Sequence, residues 1–227
     1  MKEFLKTAAA IVLFFVIALS ALTYTRNYHR EPSVILTSAE CDPPCWYGIQ
    51  PGQSNTTEVY QTLMQLKTVK ANTIREHTNQ FDKLLYIDWY FQRPAEDGAG
   101  YIFFDGNRVV ALRILTVNSL KLSDLFEKLG GPEKYWTEVG YGENREYLDV
   151  HLLHPDKGYL AEVVIDIPRG ADQVEIQPTT SVFSVTYFAP GTFEELPGTV
   201  VLVNQSVDSF PPWTSFGALP VVREAEE

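Results

Sequence analysis

Residues 98–116 read GAGYIFFDGNRVVALRILT. Two runs rich in β-branched and aromatic residues, 101–104 and 109–115, flank Asp105 and Gly106. An Asp-Gly pair between such runs marks a tight hairpin, because its backbone takes positive φ at little cost. The stretch therefore predicts two adjacent antiparallel strands. Upstream, KLLYIDWYFQ (83–92) has the same β-rich composition. Before it, SNTTEVYQTLMQL (54–66) predicts a helix: Asn55 is the N-cap, Glu58 completes a capping box, and Val59, Leu63 and Leu66 form one apolar stripe.

The same order recurs downstream. LKLSDLFEKLGGPEKY (120–135) predicts a helix with Leu122, Leu125, Phe126 and Leu129 on one face, ended by Gly130, Gly131 and Pro132. REYLDVHLLHP (145–155), YLAEVVIDIP (159–168) and SVFSVTYFAP (181–190) then read as strands, with a turn at Asp156, Lys157 and Gly158. GTFEELPG (191–198) has capping-box spacing at Thr192 and Glu195, and TVVLVN (199–204) reads as a last strand. The aromatic end, FPPWTSFGALP (210–220), is expected to pack back onto the sheet. The fold class is α+β: two units of short helix plus antiparallel β-meander, over 41–118 and 119–219. They are either tandem domains or halves of one sheet. No βαβ alternation suggests a parallel nucleotide-binding sheet.

The N-terminus differs from this body. TAAAIVLFFVIALSALTYT (7–25) carries no charge and follows Lys2 and Lys6. That length suits a helix crossing a bilayer, which needs about 20 apolar residues. Residues 1–26 are thus read as a membrane anchor, with cleavage near Ser20, as in a secretory signal, as the alternative. Residues 27–40 are a spacer and 220–227 an acidic tail. The expected location is a bacterial cell membrane, single-pass, with the C-terminal portion extracytoplasmic. The net charge is −11, and the exported portion is more acidic still, since Lys2, Lys6 and Arg26 leave with the leader. Such a surface repels phosphate backbones, so nucleic acid is excluded as a partner.

Cys41 and Cys45, in CDPPCWYGIQPG (41–52), are the two cysteines. Two thiolates do not fill a tetrahedral zinc site, and His151 and His154 of HLLH point to opposite faces of a strand. The C-x-x-x-C spacing also departs from the redox C-x-x-C. In an oxidising compartment the pair is expected to form a disulfide. An extended run of four steps spans about 12 Å, against the roughly 7 Å that closure allows. Closure therefore needs a sharp reversal, such as a cis peptide before Pro43 or Pro44. Trp46 and Tyr47 follow, either as a possible interaction surface or as anchors covering a core edge.

These stretches together resemble uncharacterised membrane-anchored or secreted bacterial proteins with a C-x-x-PCW-x-GI-x-PG opening. The matching residues are Cys41, Pro44, Cys45, Trp46, Gly48, Ile49, Pro51 and Gly52. An LG-x-P helix end is matched by Leu129, Gly130 and Pro132, with Gly131 extra. A YF-x-PGT-x-EEL segment is matched from Tyr187 to Leu196. The resemblance implies compartment and architecture and brings no activity with it. Gly52, Thr57, Glu58, Val59 and the LGGP of 129–132 are also similar to the small outer-membrane assembly lipoproteins of the BamE/SmpA type. Here, however, those elements lie about 70 residues apart and the lipid-bearing cysteine is missing.

For function, these features imply a non-catalytic interaction module tethered at the membrane, with an envelope protein or cell-wall component as partner. No catalytic, cofactor or metal constellation is read. The alternatives are an envelope-polymer hydrolase using paired carboxylates such as Glu96 and Asp97, and a small-molecule sensor or carrier with an aromatic-lined pocket.

Overall fold

The computed structural model describes residues 15, 33–37, 41–80, 82–92, 98–116, 119–201 and 206–223. Met1–Glu31 and Pro32–Glu227 form separate units. In the first, Phe15 is helical and is the residue described; the rest of the apolar 7–25 run lies outside the described residues. Among the described residues, no helix is long and apolar enough to cross a membrane.

The second unit is built on an antiparallel sheet. Its first meander is β1 (Arg75–Thr78), β2 (Leu85–Tyr90), β3 (Ala99–Asp105) and β4 (Arg108–Leu115). Its second is β5 (Lys134–Tyr141), β6 (Glu146–His154) and β7 (Tyr159–Asp166), followed by β8 (Gln173–Ile176) and β9 (Ser184–Phe188). The order in space is β1-β2-β3-β4-β9-β7-β6-β5. The two meanders are therefore halves of one eight-stranded sheet, joined by β9. That strand pairs with β4 through Leu112–Tyr187 and with β7 through Ala161–Val185. The short strands β8 and β10 (Gly217–Pro220) make a separate ribbon that the sequence did not announce.

Side chains alternate between the two faces. On the first face, Ile87, Trp89, Ile102, Leu112, Leu148, Val150, Val163 and Val185 form the main core with three helices. These are α1 (Val34–Thr37), α2 (Thr56–Gln65) and α3 (Leu122–Leu129). The Asn55–Glu58 capping box is present in both directions, and α2 buries Val59 and Leu63. Helix α3 buries Leu122, Leu125 and Leu129 and stops at Gly130, whose φ is 86°. Val34 and Ile35, placed by sequence in the spacer, are buried in this core. The hairpin is present, its turn one residue later than expected: Asp105 ends β3 opposite Arg108, and Gly106 and Asn107 make the turn.

The second face is partly roofed by the chain after β9. Phe193 and Phe210 pack there with Trp136, Leu153, Leu160 and Phe188, and Val200 packs with Leu84, Phe103 and Ala111. Two expectations fail in this roof. The GTFEEL stretch forms only a 3-10 turn, Phe193–Glu195, without a side-chain cap, because Pro197 cuts the run short. Residues 199–201 lie outside any strand; within the expected last strand, 202–204 lie outside the described residues. At the C-terminus, Arg223 of the acidic tail is held to Glu146 at 2.9 Å.

Candidate functional site

The cysteine segment builds a corner. Cys41 and Cys45 are disulfide-bonded with Cα atoms 5.7 Å apart, and the Pro43–Pro44 peptide is cis, which supplies the required reversal. The corner delivers Trp46 into the core at 0% exposure, stacked on Trp89 with ring centroids 5.7 Å apart. Tyr47 meets Trp46 edge-on at 5.0 Å and is half-buried. Of the two sequence-nominated surface aromatics, Trp46 is thus an internal anchor and presents no face to a partner. Such a ring pair contributes about 0.5–1.5 kcal/mol beyond the area it buries.

Beyond the corner the chain is tied to β4: Gly52 N–H donates to Val109 O at 2.7 Å and Val109 N–H to Ser54 O at 2.9 Å. Gly52 has φ +81°, and a Cβ there would stand 3.2 Å from that of Ala189. This close approach brings CDPPCWYGIQPG beside the PGTFEEL stretch, two segments far apart in sequence. Beside this approach opens a groove of about 720 Å³, lined by Gln53, Asn55, Asp105, Arg108, Thr192 and Glu195 among others. Its walls are rigid for local reasons. Asn107 Oδ1 accepts from Thr56 N–H at 3.2 Å, fixing the β3–β4 turn to the start of α2. Thr192 Oγ1 donates to Ala189 O at 2.8 Å, closing the turn after β9. Cation and carboxylates line the same wall, so the groove suits polar ligands with charges of both signs.

A second feature is a polar row across the second face, partly under the roof: Ser184 and Thr186 are buried, and Arg113 Nη2 donates to Val200 O. Register places Tyr101 opposite Arg113, Arg113 opposite Thr186, Ser184 opposite Glu162, and Glu162 opposite His151. On the neighbouring step, Asp149 stands opposite Glu138. Arg113 Nε donates to Thr186 Oγ1 at 3.0 Å, and Ser184 Oγ donates to Glu162 Oε2 at 2.7 Å. His151 lies flat on Trp136, with ring centroids 4.4 Å apart, and Trp136 on Phe210 at 4.6 Å. Both ring nitrogens of His151 are buried and have no hydrogen-bond partner among the described residues. Burial holds the His151 pKa below its ordinary value, against the pull of Glu162 and Glu138. Burial, with the charges of Glu162 and Glu138 adding to it, pushes Asp149 up to about 6. Burial also lowers Arg113, which Glu162 and Tyr101 oppose.

Neither groove nor row was nominated from sequence. The groove residues had entered only as turn and cap residues, and the row needs the register of six strands. Glu96 and Asp97, the nominated acid pair, lie outside the described residues. Among the described residues, no group of His, Cys, Asp or Glu is arranged to hold a metal ion. The sequence matches no known family model and no curated protein, and the fold matches no solved structure.

Proposed function

We propose that the chain is a non-catalytic binding module held at the outer face of a bacterial membrane by residues 7–25. Its partner is an envelope protein or cell-wall component. The observation that carries this reading is the groove between the start of α2 with the β3–β4 turn and the turn after β9. Two turns of its wall are tied by hydrogen bonds, Thr56 N–H to Asn107 Oδ1 and Thr192 Oγ1 to Ala189 O, which lowers the backbone ordering that binding requires. The Cys41–Cys45 disulfide supports an oxidising compartment.

A photo-crosslinker at Gln53 in the full chain, expressed in bacterial membranes, tests it. A discrete adduct is expected, lost when Arg108→Glu and Glu195→Lys reverse the groove charges while the melting temperature holds. An adduct indifferent to both reversals contradicts the groove as the recognition element. A C-terminal reporter active only in the cytosol contradicts the location. A second reading, hydrolysis of an envelope polymer, draws on Asp149 with its raised pKa of about 6. It predicts turnover of an isolated cell-wall polymer that Asp149→Asn abolishes.

A further inference from the structure

In an antiparallel sheet, alternate residues turn their N–H and C=O toward one neighbour and the others away from it. At the start of β5, Tyr135 N–H donates outward to Pro211 O at 3.1 Å, and Trp213 N–H donates to Glu133 O at 2.9 Å. Odd-numbered residues of β5 therefore face away from β6, and residues 211–213 cover that edge only at its beginning. Farther along, Thr137, Val139 and Tyr141 hold outward backbone donors and acceptors that no described residue meets. Tyr141 is 66% exposed, so the edge reaches solvent.

The side chains beside this edge carry acidic charge with no cation set against it among the described residues; Glu138 Oε1 accepts from Trp136 Nε1–H at 3.3 Å. Glu138 of β5 stands directly opposite Asp149 of β6, and Glu162 follows on β7. Like charges facing each other across strands destabilise a sheet. Among the described residues, no lysine or arginine lies within ion-pair distance of Glu138 or Asp149. Lys134 Nζ is turned to Phe210 O at 3.2 Å, and Arg145 is paired with Asp166 at 2.9 Å. A Cβ at Gly140 would stand 2.2 Å from the Tyr147 ring, so that ring lies across the edge strand on the face that carries Glu138. What the arrangement lacks is a ninth strand and a cation, and one object can supply both.

We propose that β5 accepts an extended segment of a partner protein as a ninth strand, with Lys or Arg at the position beside Glu138. The backbone donors and acceptors of Thr137–Tyr141 give affinity, and the Glu138–Asp149 pair selects the basic residue. Burial raises the Asp149 pKa most, and the charges of Glu162 and Glu138 add to it in the same direction. A second copy of this chain is a poor occupant, because edge-to-edge pairing would bring two such acidic pairs together on one face. The proposal rests on the binding-module reading but uses no groove residue, so crosslinking at Gln53 and its charge reversals are unaffected by it.

The test is selection of displayed random 12-residue peptides on the full chain, with counter-selection on Val139→Pro. The Val139 N–H points outward, so proline there removes an edge donor and leaves the β6 ladder intact. Enriched peptides are expected to alternate β-branched or aromatic residues and to carry a Lys or Arg. They should lose about tenfold or more in affinity for Val139→Pro. Glu138→Lys, whose ammonium would pair with Asp149 opposite, should abolish the preference for Lys or Arg. As a check independent of any variant, a selected peptide should slow amide exchange at Thr137, Val139 and Tyr141. Failure to enrich any peptide, enrichment without charge preference, slowing at other amides, or dimerisation of the chain through β5 would overturn the proposal.

Discussion

The two edges of the eight-stranded sheet are finished differently. At one end, β1 is four residues long, mostly exposed, and carries Arg75 and Glu76. Its His77 Nε2 sits 2.7 Å from Asp88 Oδ1 of β2 and its ring stacks on Tyr86. Short, charged strands are how sheets keep other chains from adding to them. At the other end β5 runs for eight residues, and its open half has an aromatic, a glycine and one charged residue, Glu138. The contrast teaches that this sheet blocks pairing on one side and leaves it available on the other.

The largest effect expected on this comparison lies behind the blocked end. Trp46→Ala removes the ring stacked on Trp89, under β2, and should cost about 3–5 kcal/mol in chemical denaturation. Amide exchange at the outer positions of β5 should stay as fast as before. Next is a proline pair across the open end. Leu148→Pro in β6, which has neighbours on both sides, should cost about 3 kcal/mol or more. Val139→Pro, one strand outward, should cost less than about 1 kcal/mol. Equal costs would mean that the β5 edge is covered.

The smallest effect is electrostatic. The folded pKa of Asp149, about 6, lies above the ordinary carboxylate range. The neutral acid is thus the form the fold favours; its contribution is complete below about pH 4 and lost as pH rises through about 6. Asp149→Asn should therefore stabilise the protein at pH 8 and be near neutral at pH 4. The gain is on the order of 1 kcal/mol once solvent screening of a half-exposed group is discounted. Thermal melts at both pH values check the sign, and a gain confined to acid pH would contradict it.

What could be read from the chain followed the range of each signal. The β3–β4 hairpin and the Asn55–Glu58 cap are local, set by a few consecutive residues; the cap stands where expected and the turn falls one residue later. The disulfide followed from the expected compartment, while the spacing spoke against closure without a sharp reversal. The union of the two meanders did not follow, because β9 must pair with β4 some 70 residues earlier, and no local pattern encodes such a partner. Nor did the ribbon, since QVEI and GALP are too short to announce themselves. Trp46 could be weighed only as surface or anchor until its burial was seen. The groove and the Glu138–Asp149 pair are products of register and close approach. An open edge is still further removed from sequence: it depends on which strand comes last.

Amide hydrogen exchange across β5 in the full chain tests the central claim most directly. Thr137, Val139 and Tyr141 should exchange fast while Trp136, Glu138 and Gly140, bonded to β6, exchange slowly. Uniform protection of all six amides in the free protein would show that the edge is already closed, and would contradict the account.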